Sequence, residues 1–184
     1  PNQVIRAVPG EGLKVPLWIL GSSLYGAQLA AAFGLPYAFA SHFAPAYLEQ
    51  AIAAYRAEFK PSQQLDRPYV MAGFNVFAAD TDEEARFLST SIQQAFVNLH
   101  RGQPTPLPPP GEGYAERMAP EARAVLDRAL SCSAIGSPET VRREVRAFIA
   151  RTGVDELIVT SQMYDHAARL RSFEIAAQLR AELS

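Results

Sequence analysis

Glycines and serines follow a short apolar run near the start of the chain, in the string Gly21-Ser22-Ser23-Leu24-Tyr25-Gly26. The string lies where a predicted strand ends and a predicted helix begins, so helical N–H groups and the helix dipole favour a bound anion there. Gly21 and Gly26 allow a ligand to come close to the backbone, and Ser22 and Ser23 supply hydroxyl donors. The string predicts a phosphate site, although helix capping by one of the two serines explains the same pattern.

A histidine follows the next predicted strand, in the string Ser41-His42-Phe43. Active sites of parallel α/β folds lie at the carboxyl ends of the strands, so His42 and Phe43 can meet a planar cofactor there. The alternative is a partly buried histidine that only packs within a loop. After the last predicted strand, Asp165 and His166 are adjacent in sequence, which does not by itself make a dyad. We expect Asp165 to cap the final helix.

Other kinds of catalytic group have little support in the sequence. The three histidines show no metal-ligand spacing, so no metal site is predicted; they are His42, His100 and His166. The Gly-x-Ser-x-Gly string of a nucleophile elbow is absent. Cys132 is the only cysteine, which excludes an internal disulfide, and we expect it to be buried and unreactive.

The composition is that of one soluble α/β domain of 184 residues. A net charge of −2 gives no reason to expect binding to nucleic acid or to an anionic membrane. No stretch approaches the roughly 20 apolar residues of a membrane span, and no signal peptide opens the chain, so the expected location is the cytoplasm. The chain begins at Pro1 without an initiator methionine, which suggests an incomplete protein.

Apolar runs and turn residues predict an alternation of strands and helices. The predicted strands cover residues 15–20, 36–40, 69–79 and 156–160, and the first is expected to be buried on both faces. The predicted helices cover residues 24–33, about 45–59, 81–99, 120–130, 139–151 and 167–183. This alternation predicts a parallel sheet, and four β/α units make half of a (β/α)₈ barrel.

A proline- and glycine-rich segment at 101–120 interrupts the alternation. Its Pro108-Pro109-Pro110-Gly111 string cannot form a helix or a central strand. Loops of this length in compact domains are usually functional or mobile. We therefore expect this segment to be the most mobile internal part of the chain and to act as a lid or an oligomer contact.

Six strings are distributed along the chain from residue 17 onward. They are LWILGSS (17–23), AQLAAAFGLP (27–36), AFASHF (38–43), AADTDEEA (78–85), IGSPETV (135–141) and TGVDEL (152–157). Together they resemble the bacterial luciferase-like flavin-dependent monooxygenases. The resemblance implies an α/β fold of the (β/α)₈ TIM-barrel type, in which residues 1–184 form the C-terminal half, about the last four β/α units.

The resemblance also implies a cofactor and a reaction. Members of the family bind reduced flavin mononucleotide (FMN), often supplied by a separate NAD(P)H-dependent reductase, and use O₂ to oxygenate a small organic substrate. The implied cofactor-binding residues are Gly21, Ser22, Ser23, Tyr25, Gly26 and Ser41. Among them, Ser22 and Ser23 fall on the segment that holds the flavin phosphate.

His42 is the catalytic residue that the resemblance implies, since it falls where a strand end approaches the isoalloxazine ring. A neutral imidazole there can donate a hydrogen bond or a proton; the alternative is that the ring only fills space beside the cofactor. Luciferase has a tryptophan at the position of His42 and an acidic residue at the position of Gly21. Light emission is therefore not implied for this chain.

Two other functions fit the same sequence. The first is an oxidoreductase that transfers hydride with a deazaflavin on the same fold. The second is a non-catalytic half-barrel that only assembles with a partner. In each case the expected partner is the N-terminal half of the barrel or a second copy, most simply as a homodimer, because half a barrel leaves sheet edges uncovered.

Overall fold

A computed structural model describes residues 4–6 and 8–183 of the chain. Its strands are β1 (Ile19–Gly21), β2 (Tyr37–Phe39), β3 (Val70–Ala78), β4 (Ser133–Gly136) and β5 (Glu156–Thr160). Its α-helices are α1 (Leu24–Phe33), α2 (Leu48–Glu58), α3 (Asp82–His100), α4 (Pro120–Ala129), α5 (Pro138–Thr152) and α6 (His166–Leu183), and a short 3₁₀ turn, Pro45–Tyr47, precedes α2. The predicted alternation of strands and helices is confirmed.

All strand pairs run parallel, as predicted, and β3 is the central strand. Ala72 in β3 pairs with Phe39 of β2 and with Leu157 of β5, so β2 and β5 lie on opposite edges of β3. Asn75 pairs with both β4 and β5. Because a residue has only two edges, β4 shares an edge of β3 with β2 and continues it toward the carboxyl end.

Two sequence-based expectations about strands are wrong. Strand β4 was not expected, because Ser133–Gly136 is short and carries a serine and a glycine, which weaken the strand signal. The first strand covers only Ile19–Gly21 rather than residues 15–20. It is not buried on both faces, since Leu20 is 71 % exposed. The physical reason is that β1 pairs only with β2 within the described residues, and nothing there covers the face that carries Leu20.

One face of the sheet packs against helices. The alternating residues Ala72, Phe74 and Val76 of β3 are buried there, as the two-residue period of a strand requires. The ring centroid of Phe74 lies 4.6 Å from that of Phe148 in α5, and α5 also contributes Val145 to the same core. This face holds most of the buried apolar surface and fixes the strands that carry the candidate site.

The opposite side of the sheet, which we call the open face, carries Leu20, Met71, Gly73 and Ile158. Leu20 is 71 % exposed and Ile158 is 53 % exposed, although both are apolar. In a closed (β/α)₈ barrel, residues of this face fill the interior in layers. The face is covered at Gly73 by the ring of His42 and near the carboxyl end of β3, where Phe77 packs against α3 and the segment after β5.

The proline-rich segment forms neither helix nor strand between residues 101 and 119, in agreement with the loop prediction. Gln94 of α3 donates a hydrogen bond of 2.9 Å to the carbonyl of Pro109. The N–H of Gly111 donates one of 2.9 Å to the hydroxyl of Thr90, also in α3. Its mobility and its role as a lid or oligomer contact stay predictions, but these contacts define where the segment is attached.

The sequence also led to expectations about the cysteine, about metal sites and about membrane-spanning helices. Cys132 is buried, as predicted, and burial raises the pKa of its thiol. Its lack of reactivity stays a prediction. In the part of the chain that the structure describes, no His, Cys, Asp and Glu side chains cluster in a way that could hold a metal ion. None of the described helices combines the length and the apolar character that crossing a membrane requires.

Candidate functional site

The turn between β1 and α1 leaves polar groups unused. Ser23 occupies the N-cap position with extended backbone angles, φ −144° and ψ 167°, yet its hydroxyl accepts no hydrogen bond from the helix. The first turn of α1 contains no acidic side chain. The N–H groups that begin α1 therefore have no side-chain cap, and helix starts of this kind fit an anionic group. Capping by Ser23, the alternative explanation of the serines, is not what the structure shows.

Gly21 and Gly26 bring the start of α1 against the sheet. A Cβ added to Gly21 would lie 3.5 Å from the Cα of Gly26, and one added to Gly26 would lie 3.4 Å from the ring of Tyr37. The Tyr37 hydroxyl donates a hydrogen bond of 3.1 Å to the carbonyl of Ser23. Burial raises the pKa of Tyr37 to about 12, so the donor keeps its proton at neutral pH. The glycines and Tyr37 thus fix the position of the serine turn, while Tyr25 is 74 % exposed beside it.

The turn after β2 uses its polar groups internally. Ser41 is fully buried, with 0 % of its surface exposed, and its hydroxyl donates a hydrogen bond of 2.6 Å to the carbonyl of Gly73 in β3. This bond ties the end of β2 to the central strand. The predicted contact between Ser41 and a cofactor stays a prediction, and the side chain already has a structural function.

His42 lies on the open face, where its ring packs over Gly73. A Cβ at Gly73 would overlap Nδ1 of His42, so only glycine leaves room for the ring in this position. Nδ1 is buried and has no hydrogen-bond partner within the described residues. Burial lowers the pKa of His42 below its ordinary value, which favours the neutral ring at pH 7. The Phe43 ring contacts it edge-on at 5.5 Å between centroids.

Asn75 connects the strand ends around His42 and was missed by the sequence analysis. Its Nδ2 donates hydrogen bonds of 2.6 Å to the carbonyl of His42 and of 3.2 Å to Ser133 in β4. Its Oδ1 accepts one of 2.6 Å from Thr160 at the end of β5. The side chain is only 3 % exposed. The available signal was that Asn75 is the one polar side chain in VMAGFNVFA, the sequence of β3.

Two of the strings that carry the family resemblance meet in space. Asp82, at the start of α3, accepts a hydrogen bond of 2.7 Å from the N–H of Ser137, at the start of α5. This bond is the main reason why the pKa of Asp82 lies below its ordinary value. Thr81 caps α3 by accepting a hydrogen bond from the N–H of Glu84, and Ser137 caps α5 by accepting one from the N–H of Thr140.

The third candidate region, after β5, has a structural function in the described residues. Asp165 accepts a hydrogen bond of 2.8 Å from the N–H of Ala168, which confirms the prediction that it caps α6. Nδ1 of His166 lies 2.7 Å from the guanidinium of Arg169. Asp165 and His166 are therefore each engaged with α6 and form no dyad.

The chain is similar to proteins of one family along its whole length. The sequence profile described as luciferase-like monooxygenase matches residues 1–156. A protein of Escherichia coli strain K12 named luciferase-like monooxygenase is 49 % identical over 183 residues, which cover 100 % of this chain and 55 % of that protein. The crystal structure of apo-MsnO8 is 30 % identical with a TM-score of 0.85, over 100 % of this chain and 55 % of that one. The chain thus spans about half the length of the relatives it matches.

Structures of lower identity share the fold. The oxygenating constituent of 3,6-diketocamphane monooxygenase of Pseudomonas putida, in complex with FMN, has a TM-score of 0.59 and 22 % identity over 90 % of this chain and 48 % of that one. An F420-dependent secondary alcohol dehydrogenase has a TM-score of 0.59 and 13 % identity over 94 % and 50 %. The predicted TIM-barrel fold class is confirmed, with this chain matching about half of such a barrel. The chain belongs to the family of luciferase-like monooxygenases.

Proposed function

We propose that this chain is part of a monooxygenase that uses reduced FMN and O₂ to oxygenate a small organic substrate. The observation that carries the proposal is the start of α1, where a helix N-terminus without a side-chain cap lies beside two serine hydroxyls. This arrangement suits the phosphate of a flavin nucleotide. Membership in the family and a structural neighbour in complex with FMN support the choice of cofactor.

Each turn has its own task in this proposal. Ser22 and Ser23, with the first N–H groups of α1, would bind the FMN phosphate. Gly21 and Gly26 would hold that turn against β1, and Tyr25 would lie beside the cofactor. At the end of β2, Ser41 would hold the turn that presents His42 to the open face.

The protein supplies orientation, a hydrogen bond and a dry environment. When bound, reduced FMN would supply the electrons that activate O₂. Burial lowers the pKa of His42, which favours the neutral ring at pH 7, and a neutral ring can donate a hydrogen bond to an oxygen that gains negative charge. The apolar side chains of the open face, such as Met71 and Ile158, would exclude water from the reaction once that face is covered.

We also propose that the other half of the barrel covers the open face. The support is that the chain spans 55 % of its Escherichia coli relative while Leu20 and Ile158 remain exposed on the sheet. Alternatively, a second copy of this chain covers the open face in a homodimer. Sedimentation of the 184-residue chain separates the two, because pairing of copies predicts a dimer, whereas the first possibility predicts association with the added N-terminal half.

The cofactor can be tested by titrating the natural full-length protein with FMN and with a deazaflavin under anaerobic conditions. The expected result is preferential binding of FMN, followed by O₂ consumption when reduced FMN and a substrate are present. The deazaflavin alternative is kept because an F420-dependent structure has the same TM-score as the FMN complex. Deazaflavin reduction without O₂ uptake would establish that alternative, and the absence of binding by either cofactor would favour a non-catalytic assembly role.

A further inference from the structure

The two ring nitrogens of His42 have different surroundings. Nδ1 is buried over Gly73 and has no hydrogen-bond partner within the described residues. Nε2 is not among the buried atoms that lack a partner, so it is the nitrogen that remains accessible on the open face. A neutral imidazole carries its single proton on one of the two nitrogens, and the local hydrogen bonds decide which.

We propose that Gly73 and Asn75 are positioning residues that hold His42 as the tautomer protonated at Nε2, so that the ring is a neutral hydrogen-bond donor rather than a general acid. A proton on Nδ1 would be a buried donor without an acceptor, which is costly. If Nδ1 instead carries a lone pair, no N–H donor is left without an acceptor in this buried position. The imidazolium would need a proton on both nitrogens and is disfavoured for the same reason.

Gly73 provides the space that this orientation requires. A Cβ at that position would occupy the place of Nδ1, so any other residue would displace the ring. The neighbouring backbone is held as well, because the carbonyl of Gly73 accepts from the buried hydroxyl of Ser41 at 2.6 Å. Gly73, which lies under the ring, and Ser41, which precedes His42, are therefore held to each other by this hydrogen bond.

Asn75 holds the His42 backbone from the other direction. Its Nδ2 donates to the His42 carbonyl at 2.6 Å, while its Oδ1 is occupied by Thr160 at 2.6 Å. The amide is thereby oriented with its donor toward His42. The hydrogen bond from Asn75 thus holds the backbone of His42 beside β3, at the position from which its ring packs over Gly73.

No charged group of the described residues takes part in this arrangement. Burial is the only cause that shifts the pKa of His42, so neither a carboxylate nor a cation in the described residues contributes to the shift. A histidine that works as a general acid near neutral pH commonly has a carboxylate that stabilises its protonated form. His42 has no such partner, which fits a donor that keeps its proton.

The target of the Nε2–H group rests on the proposed function, whereas the tautomer is a property of the chain itself. The two can be tested separately, because the tautomer is measured in the absence of any cofactor. If FMN does not bind but the tautomer is found, the proposed function fails and this inference stands.

The experiment is ¹⁵N NMR of the histidine rings in the cofactor-free, natural full-length protein, with His42→Phe used to assign the His42 signals. The expected spectrum at pH 7 shows a protonated Nε2 and an unprotonated Nδ1 for His42. In Gly73→Ala we expect exchange between tautomers and a pKa closer to the ordinary value for histidine. Gly111→Ala is the matched control, since its added Cβ would meet no atom closer than 3.7 Å.

Three results would overturn the inference: a proton on Nδ1, an imidazolium at pH 7, or an unchanged tautomer and pKa in Gly73→Ala. The wild-type spectrum decides the first two even if Gly73→Ala does not fold. In the FMN-loaded enzyme, Gly73→Ala should lower kcat by about tenfold through displacement of the ring, with a smaller change in the FMN dissociation constant. A kcat that falls as pH rises through the pKa of His42 would indicate a general acid instead, because the proposed neutral donor is lost only as pH falls.

Discussion

The turns after β1 and β2 both carry serine, but they use their polar groups differently. In the first turn, the hydroxyl of Ser23 makes no capping bond and the start of α1 has no side-chain partner. In the second, the hydroxyl of Ser41 is bonded to β3, and the carbonyl of His42 is bonded to Asn75. The first turn therefore retains capacity for a ligand, whereas the second has used most of its capacity to position one ring.

The starts of α3 and α5 show that serine and threonine do cap helices elsewhere in this chain. Thr81 accepts from the N–H of Glu84, and Ser137 accepts from the N–H of Thr140. Helices α2 and α4 also start without a side-chain cap, but their N-cap residues are Tyr47 and Ala119. The start of α1 departs from the pattern because its N-cap residue, Ser23, is of a capping type and makes no capping bond. Departures of this kind from local rules concentrate at functional sites.

The largest expected effect on turnover concerns His42, the side chain that the turn after β2 presents to the open face. His42→Phe keeps a ring but removes both nitrogens, so loss of the hydrogen bond should lower turnover by roughly 10²-fold with FMN affinity largely kept. Steady-state kinetics and an FMN titration of the full-length enzyme measure both. His100→Phe, at the exposed end of α3, is the control. Full activity in His42→Phe would leave the ring as part of the pocket wall.

A smaller effect is expected from the first turn. Replacing both Ser22 and Ser23 with alanine should weaken FMN binding by at least tenfold, because charge-assisted hydrogen bonds contribute about 1.5–3 kcal/mol each. The free energy of unfolding should change little, since Ser23 caps nothing. Ser137→Ala provides the converse control, with a loss of about 1 kcal/mol in stability and normal FMN affinity. Unchanged FMN affinity in the double variant would remove the phosphate assignment.

Ser41→Ala tests whether the second turn is mainly structural. We expect the free energy of unfolding to fall by about 1–2 kcal/mol, because the buried hydrogen bond to Gly73 is lost. FMN affinity should change less than in the double serine variant of the first turn. Urea denaturation gives the first value and fluorescence titration of FMN the second. A large loss of affinity at normal stability would instead establish Ser41 as a direct cofactor ligand.

The smallest effect should come from Asp82, which serves neither turn. Its pKa is depressed in the folded state, so its contribution to stability is present above the unfolded pKa of about 4 and is lost as pH falls through the folded value. Asp82→Asn should therefore flatten the dependence of stability on pH below about 4. Thermal unfolding between pH 2 and pH 6 measures the slope, and an unchanged slope would contradict the assignment.

Much of the architecture could be predicted because its signals are local. The helix 24–33 and the strand 156–160 have the predicted bounds, since Gly34 ends the first and turn residues flank the second. The turns with Ser22, Ser23 and His42 could be selected as candidate sites because strand ends in parallel folds are common functional positions, and their function stays a prediction. The exposure of Leu20 was not predicted, because apolar composition does not reveal whether a second layer is present.

The support for His42 could not be predicted because it depends on contacts between distant residues. Asn75 lies in an otherwise apolar strand, and its three partners come from β4, β5 and the turn after β2. Gly73 resembles an ordinary strand glycine until the ring above it is seen. Register between strands, which no local pattern specifies, brings these groups together.

The bond between Asp82 and Ser137 joins the start of α3 to the start of α5, and so it closes a long segment of chain that contains α3, residues 101–119, α4 and β4. The chain leaves at the end of α3 and returns at β4, where pairing with β3 and the Asp82 bond fix the point of return. Because each doubling of a loop's length costs only about 0.6 kcal/mol in closure entropy, segments of different length and chemistry can be exchanged between these fixed points. Insertions within residues 101–119 should therefore leave the pairing of the strands unchanged.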